Sequence, residues 1–133
     1  MENTKMIQSF LDLAEEEGYF LTYATLNRYL DLSPTKSYIF HYILSFSVKG
    51  KDEDGYCFAS RETMAKVLNI SKSTLDDNLK KLVNERLICR TKVISHSHTY
   101  HQYTVNLKYI AELIKAKKEQ ELNALYKQRL TPS

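Results

Sequence analysis

The sequence predicts a mainly α-helical fold with one small antiparallel β-sheet. Through most of the chain, apolar residues recur at spacings of three and four, as they do on one face of a helix. Between residues 87 and 106 the spacing changes to two, which is typical of strands. The 133 residues include 3 Gly and 2 Pro, and a chain of this length buries about two thirds of its unfolded surface. We therefore expect one domain with its own core.

The N-terminal part predicts a helix over residues 4–17 that ends at Gly18. The apolar stripe of this helix consists of Met6, Ile7, Phe10, Leu11 and Ala14. We expect a short strand at residues 19–23 and a short helix at residues 25–30.

A longer helix begins in the segment LSPT. Ser33 is a suitable cap, and Pro34 suits the first helical position because the missing amide hydrogen is not needed there. About four turns are expected, with an apolar face of Ile39, Phe40, Ile43, Leu44 and Phe46. The following KGKDEDG is predicted to be an exposed turn and YCF a short strand.

Two further helices are separated by a sharp turn. Ser60 caps RETMAKVL, and Asn69 tolerates the left-handed conformation that stops this helix. Ile70 can fill the turn from the core side. Ser71 caps the next helix, whose buried stripe is predicted to be Leu75, Leu79 and Leu82.

The segments LICRTKVI and TYHQYTVN predict a hairpin around the turn SHSH. On the first strand we expect Leu87, Cys89, Thr91 and Val93 to face one way and Arg90 and Lys92 the other. On the second strand, we expect the inner face to hold His101, Tyr103 and Val105 and the outer face to hold Tyr100, Gln102 and Thr104. A final helix is predicted from about Leu107 to Arg129.

This order of elements is that of a winged helix-turn-helix. The chain also resembles the winged helix-turn-helix domains of plasmid and phage replication initiators and related mobile-element DNA-binding proteins. The similar segments are LSPT, GYCFAS, ETMAKVL with NIS, and the LxxxLxxLxxxxLI pattern from Leu75 to Ile88. The resemblance covers roughly residues 32–92.

The resemblance implies that the helix after Ser71 enters the major groove of double-stranded DNA and that the hairpin flanks the backbone. We expect a single winged-helix domain over residues 1–133, with a core at residues 32–106, an N-terminal helical extension at 1–31 and a C-terminal helix at 107–133. The resemblance further implies replication initiation or maintenance of a mobile element. Since the same module serves many transcription regulators, a repressor is an alternative. A second alternative is a protein-interaction adaptor that has lost its DNA-binding face.

Charge is distributed unevenly around a net value of +3. Residues 1–20 contain one lysine and five acidic residues, or −4, whereas residues 72–92 contain six basic and three acidic residues, or +3. The later region is therefore where a polyanion would dock. The predicted DNA contacts are Arg61, Ser71, Lys72, Ser73, Thr74, Asp77, Lys80, Lys81, Arg90, Lys92, His96 and His98.

Asp76 and Asp77 depart from the basic or neutral residues that related domains usually carry on this helix. Three interpretations remain open. Each aspartate lies four residues before a lysine, so Asp76 can pair with Lys80 and Asp77 with Lys81. Asp77 can instead accept a hydrogen bond from the N4 amino group of cytosine. The third interpretation is that this helix does not face DNA.

The sequence gives little support for an enzyme. In HSHTYHQY, the pair His96 and His98 beside tyrosines resembles the metal pair and nucleophile of rolling-circle initiators, but the intervening residue is Ser97 and the segment is a predicted turn. A zinc site at His96, His98 and His101 lacks a fourth ligand. We expect a non-enzymatic protein without metal or cofactor.

The two cysteines are too few for a disulfide scaffold, and YIFHYILSF is much shorter than the roughly 18 residues of a membrane span. We expect a cytoplasmic protein that does not contact membranes.

The final helix is longer than the module requires, and AKKEQE interrupts its apolar stripe. We expect this helix to form a symmetric dimer, with packing against the protein's own N-terminal helix as the alternative. The predicted interface residues are Ile110, Leu113, Ile114, Leu122, Leu125 and Tyr126. Replication or transcription proteins are further expected partners.

Overall fold

The computed structural model describes residues 2–16, 18–49, 57 and 59–130. These residues form six helices and one two-stranded antiparallel sheet, which confirms the predicted fold class. The elements are α1 (Glu2–Ala14), α2 (Ala24–Tyr29), α3 (Pro34–Lys49), α4 (Arg61–Leu68), α5 (Lys72–Asn84), β1 (Ile88–Ser95), β2 (His98–Val105) and α6 (Leu107–Leu130). No helix in the described ranges is long and apolar enough to cross a membrane.

Helix α3 lies at the centre of the core. It begins at Pro34 as predicted, and the amide of Ser37 donates to the carbonyl of Ser33 at 2.7 Å. Five hydrophobic residues of this helix are buried among its described side chains: Ile39, Phe40, Tyr42, Ile43 and Leu44. Phe46, expected on the same face, is 39% exposed and packs against the ring of Tyr42, at 5.1 Å between ring centroids.

Helix α5 and the hairpin pack against α3. The core they share includes Met64, Leu68, Leu75, Leu79, Leu82, Leu87, Ile88, Tyr103 and Val105. The predicted turn KGKDEDG lies outside the described residues except for Lys49. Within the predicted strand YCF, Tyr56 and Phe58 are also outside them, and Cys57 forms an isolated bridge with Tyr103.

Residues 19–23 were predicted to form a strand, and this is wrong. No hydrogen-bonded strand lies beside the segment among the described residues; instead the amide of Tyr23 donates to Nε2 of His41 at 2.9 Å. The Nδ1 atom of His41 lies 2.8 Å from the carbonyl of Ser37. Because Nε2 accepts a hydrogen bond, Nδ1 carries the hydrogen of a neutral imidazole. A buried side chain thus holds this segment against α3.

The hairpin has nearly the predicted strand bounds, but the predicted orientation of β1 is wrong. Arg90 is paired with Tyr103 and Lys92 with His101, and directly paired residues lie on the same face of an antiparallel sheet. Both cations therefore share the face of the buried Tyr103, not the opposite face. They are nevertheless exposed because the hairpin extends beyond the core.

The two faces of β1 are exchanged relative to the prediction because two consecutive residues, Leu87 and Ile88, are both buried. Arg86 has a φ of 63°, and the amide of Leu87 donates to the carbonyl of Leu82 at the end of α5. Regular alternation therefore begins at Ile88, one residue later than expected. As predicted, Tyr103 and Val105 face the core, and His101 shares their face.

The terminal helices leave apolar side chains exposed. None of the described residues of α1 is buried; Met6 is 69%, Phe10 67% and Leu13 70% exposed. Helix α6 buries Ile110 in the core, and Leu113 and Ile114 are partly buried there. Further along, Glu121 accepts hydrogen bonds from Arg28 at 2.9 Å and from the Tyr29 hydroxyl at 3.0 Å, which attaches α6 to α2.

His41 should make stability pH-dependent. Burial lowers the pKa of His41, so the unfolded chain, with a histidine pKa of about 6.5, binds this proton more readily. The stabilisation is complete above that pH and is lost as the pH falls toward the folded-state pKa. The side chains around the imidazole are Tyr23, Ser37 and Phe40, all uncharged.

We expect urea unfolding to show a larger loss of stability between pH 7.5 and 5.5 in the wild type than in His41→Gln, whose amide oxygen can still accept the Tyr23 hydrogen bond. His101, whose pKa is lowered by burial and then by Arg90, is present in both proteins and cancels in the difference. Equal losses in the two proteins would contradict the assignment.

Candidate nucleic-acid interface

Three short polar side chains lie at the start of α4, at its end and at the start of α5. The hydroxyl of Ser60 accepts from the Thr63 amide at 3.1 Å, and that of Ser71 accepts from the Thr74 amide at 3.2 Å. Between them, Asn69 has φ 55° and ψ 48°, the left-handed conformation that ends α4. Ile70 is partly buried against the core. Both caps and the left-handed turn are as predicted.

The buried stripe of α5 determines which side chains face outward. Leu75, Leu79 and Leu82 are at most 1% exposed. At about 100° per residue, the opposite side of the helix is centred on a stripe of four residues. These four are Ser73, Asp77, Lys80 and Asn84, and all are exposed. Lys81 flanks this stripe and is also exposed.

Asp76 does not form the pair with Lys80 that the spacing allowed. Its Oδ1 lies 3.2 Å from Nη1 of Arg61, at the start of α4. The other expected pair, Asp77 with Lys81, is also absent, and Asp77 has no hydrogen bond or ion pair with any described residue. The two neighbouring carboxylates thus have different surroundings.

A second ion pair joins α4 and α5. Nζ of Lys72 lies 3.2 Å from Oε1 of Glu62. The pKa of Glu62 is lowered, first by a hydrogen bond from its own amide and then by Lys72. The two cations expected at the start of these helices, Arg61 and Lys72, are therefore each paired with an acid from the neighbouring helix. Sequence spacing could not show these pairs because both cross the turn.

The hairpin adds two further cations and two exposed histidines. Arg90 and Lys92 are exposed on β1, and the exposed His96 and His98 lie in or beside the two-residue turn, where His96 has a φ of 54°. The pKa of His101 is lowered by burial, then by the charges of Arg90, Arg61 and Lys92. Positive charge from α4 and from the hairpin thus meets near β2.

A cavity of about 250 Å³ lies between the start of α4 and β2, with Ser60, Arg61, His101 and Tyr103 among its lining residues. The Tyr103 hydroxyl is buried and has no hydrogen-bond partner among the described residues. Burial raises its pKa, and the nearby charges of Arg90 and Arg61 oppose this shift, although Arg90 does not reach hydrogen-bond geometry. Tyr103 was predicted to face the core, but the cavity beside its hydroxyl was not predicted from the sequence.

Within the described ranges, no three side chains of His, Cys, Asp or Glu come together as metal ligands. Cys57 is buried, and burial raises the pKa of its thiol. Cys89 is exposed and its thiol donates to the side-chain oxygen of Asn106 at 2.8 Å.

Comparison with known proteins places the turn within a recognised domain. Residues 30–88 match the family model of a helix-turn-helix domain. The match begins before α3 and ends at the first residue of β1, so it includes the two capped helices and the buried stripe of α5. No curated protein matches the chain.

Solved structures resemble more of the chain. A possible transcriptional regulator from Methanosarcina mazei Go1 has a TM-score of 0.52 at 14% identity, covering 83% of this chain and 96% of that one. The S. aureus MepR–DNA complex has a TM-score of 0.47 at 16% identity over 98% and 94% of the two chains. The zinc-responsive MarR family member ZitR of Lactococcus lactis has a TM-score of 0.45 at 17% identity over 94% and 81%.

At these identities a structural likeness shows only a shared fold. Of the three structures, the Methanosarcina protein is the one whose TM-score is high enough to support that conclusion. The combination of a helix-turn-helix match and a following two-stranded hairpin establishes a winged helix-turn-helix architecture for this chain. The DNA contacts assigned to individual residues from the sequence stay predictions.

Capping of α5 can be measured directly. Ser71→Ala removes the acceptor of the Thr74 amide, and loss of such a cap costs about 1 kcal/mol. We expect urea unfolding to show this decrease in the free energy of unfolding. Ser9→Ala, the same change at an exposed position of α1, should alter it by less than about 0.5 kcal/mol. Equal losses would mean that the Ser71 hydroxyl does not act as a cap.

Proposed function

We propose that this protein binds double-stranded DNA and regulates transcription, with α5 in the major groove and the hairpin along the backbone. The observation that carries the proposal is the polar outer stripe of α5, presented beside the cations of α4 and the hairpin. Helix α5 has 13 residues, which span about 20 Å. The major groove of DNA, about 12 Å wide, accepts a helix.

Contacts to bases and to phosphates come from different groups. Ser73, Thr74, Asp77, Lys80 and Lys81 lie on the outer side of α5, where side chains meet base edges. Phosphate contacts are assigned to the residues that surround this stripe. They are Arg61, Ser71, Lys72, Arg90, Lys92, His96 and His98.

Two of these cations must exchange partners on binding. Arg61 is paired with Asp76 and Lys72 with Glu62, and a phosphate has to compete with each carboxylate. The acids remain close to the DNA after the exchange and repel its backbone at every site. This repulsion reduces non-specific affinity, so we expect correctly placed base contacts to decide where the protein binds.

Transcription regulation is favoured over replication initiation because the Methanosarcina protein, which has the same fold, is a possible transcriptional regulator. The resemblance to mobile-element initiators concerns the same module and implies the same contacts. Mapping bound sites in the genome separates the two roles: promoters support a regulator, whereas an origin of replication supports an initiator. The alternative function of another class is a protein-interaction adaptor that has no affinity for DNA.

The proposed organisation is a single winged-helix unit, with the core at residues 32–106 and the terminal helices serving dimerisation. Helix α1 exposes its apolar stripe, and α6 exposes Leu122 (67%), Leu125 (57%) and Tyr126 (62%). Charge also favours a second copy of this chain as the partner of these apolar surfaces. The residues after α1, Glu15 and Glu16, are acidic and the end of α6 is basic, so the terminal helices of two copies can attract each other. Ile110 is excluded from this interface because it is buried in its own core.

Salt-titrated fluorescence anisotropy with mixed-sequence duplex DNA tests DNA binding. Each phosphate contact contributes about −0.9 to the slope of log affinity against log salt, so six contacts give about −5. Lys72→Ala and Arg90→Ala should weaken binding to all sequences, each reducing the slope by about 1. Lys115→Ala, at an exposed lysine on α6, is the matched control and should leave the slope unchanged. Undetectable binding at low salt would favour the adaptor.

Light scattering at micromolar concentration tests the dimer. We expect the wild type to have twice the monomer mass and Leu122→Glu to shift it toward the monomer, since a carboxylate would be buried in an apolar interface. Leu107→Glu is the matched control, because Leu107 is a 54% exposed leucine at the other end of the same helix. A monomer mass for the wild type would refute the dimer, leaving the DNA-binding proposal intact.

A further inference from the structure

The neighbouring carboxylates of α5 are separated by their contacts. Asp76, 35% exposed at its side chain, is occupied by Arg61 across the turn. Asp77 is exposed and has no partner within the described ranges. Lys80 and Lys81, its nearest cations along the helix, form no ion pair with it there. Both oxygens of Asp77 are therefore open to new hydrogen bonds, whereas Oδ1 of Asp76 is already engaged by Arg61.

The position of Asp77 is as informative as its lack of a partner. It lies in the outer stripe with Ser73, Lys80 and Asn84, directly opposite the buried leucines, and it is the one acid of those four. Asp76 points to the flank, toward α4. If α5 lies in the major groove with this stripe facing the bases, Asp77 approaches the base edges and Asp76 remains beside the backbone.

We propose that Asp77 determines base specificity by accepting a hydrogen bond from the N4 amino group of a cytosine, and that Asp76 is a positioning residue which keeps Arg61 beside the path of the backbone until a phosphate takes its place. This inference rests on the proposed function, in which α5 enters the major groove. It assigns the two carboxylates different tasks within that site.

The chemistry of the groove selects cytosine. A carboxylate can only accept hydrogen bonds, and the major-groove edges of guanine and thymine present the acceptors N7, O6 and O4. Two bases present an amino group there, adenine and cytosine. Adenine places its N7 acceptor next to that amino group, where it repels a carboxylate. Cytosine has no such acceptor on its edge, so it is the best partner of Asp77.

The same reasoning predicts a change of specificity in Asp77→Asn. An asparagine amide both accepts and donates, which matches the N6 and N7 groups of adenine. The variant should therefore prefer adenine where the wild type prefers cytosine. Asp76→Asn is the matched control: the same chemical change at the adjacent residue should alter affinity for all sequences but leave the preferred base unchanged.

The experiment is selection of bound duplexes from a pool with a randomised central segment, using the wild type and both variants. We expect one position with about a tenfold preference for cytosine in the wild type and for adenine in Asp77→Asn. Anisotropy on the selected duplex and on its single-base exchange then measures the two preferences as a ratio of affinities. Thermal melting checks that both variants are folded.

Each outcome has a distinct meaning. The same preferred base in the wild type and Asp77→Asn would overturn the proposal, as would a uniform gain of affinity, which would show that Asp77 only repels phosphates. A changed preference in Asp76→Asn would reverse the assignment of the two carboxylates. If the wild type enriches no sequence but binds duplex DNA in the salt titration, the specificity proposal fails and DNA binding stands. If it binds no DNA at all, both fail.

Discussion

Burial of three leucines on α5 determines the surface that this protein presents. Leu75, Leu79 and Leu82 are at most 1% exposed, and removing one such side chain from a core typically costs about 2–5 kcal/mol. This penalty prevents the helix from rotating about its axis. The polar stripe opposite the leucines is therefore held in place by packing on α3, and the caps at Ser60 and Ser71 place its beginning beside α4. The proposed base contacts depend on this orientation.

Acidic side chains are part of the proposed interface. A surface made only of lysine and arginine would attract any polyanion, because the charge of the DNA backbone is the same at every site. In this protein Glu62 and Asp76 each occupy a cation on the neighbouring helix. The pairs also connect the beginnings of α4 and α5, so one set of contacts both limits indiscriminate attraction and joins the two helices.

Local features were predictable from the sequence, and contacts between distant residues were not. Capping by Ser60 and Ser71, the left-handed Asn69 and the leucine stripe depend on residues within a few positions of each other. The bond from Tyr23 to His41 spans 18 residues, and the Arg61–Asp76 pair spans 15. Neither leaves a periodic signal. The prediction of which face of β1 lies toward the core was wrong for a related reason. One extra buried residue before a strand moves every following side chain to the opposite face.

The Tyr23–His41 bond has a consequence for how the N-terminal segment can evolve. Its donor is the backbone amide of residue 23, and the acceptor is the imidazole of α3. Every amino acid except proline supplies that amide. This hydrogen bond therefore excludes only proline at position 23, whereas it requires a side chain that can accept at position 41. The two ends of a single hydrogen bond thus impose unequal constraints on the sequence.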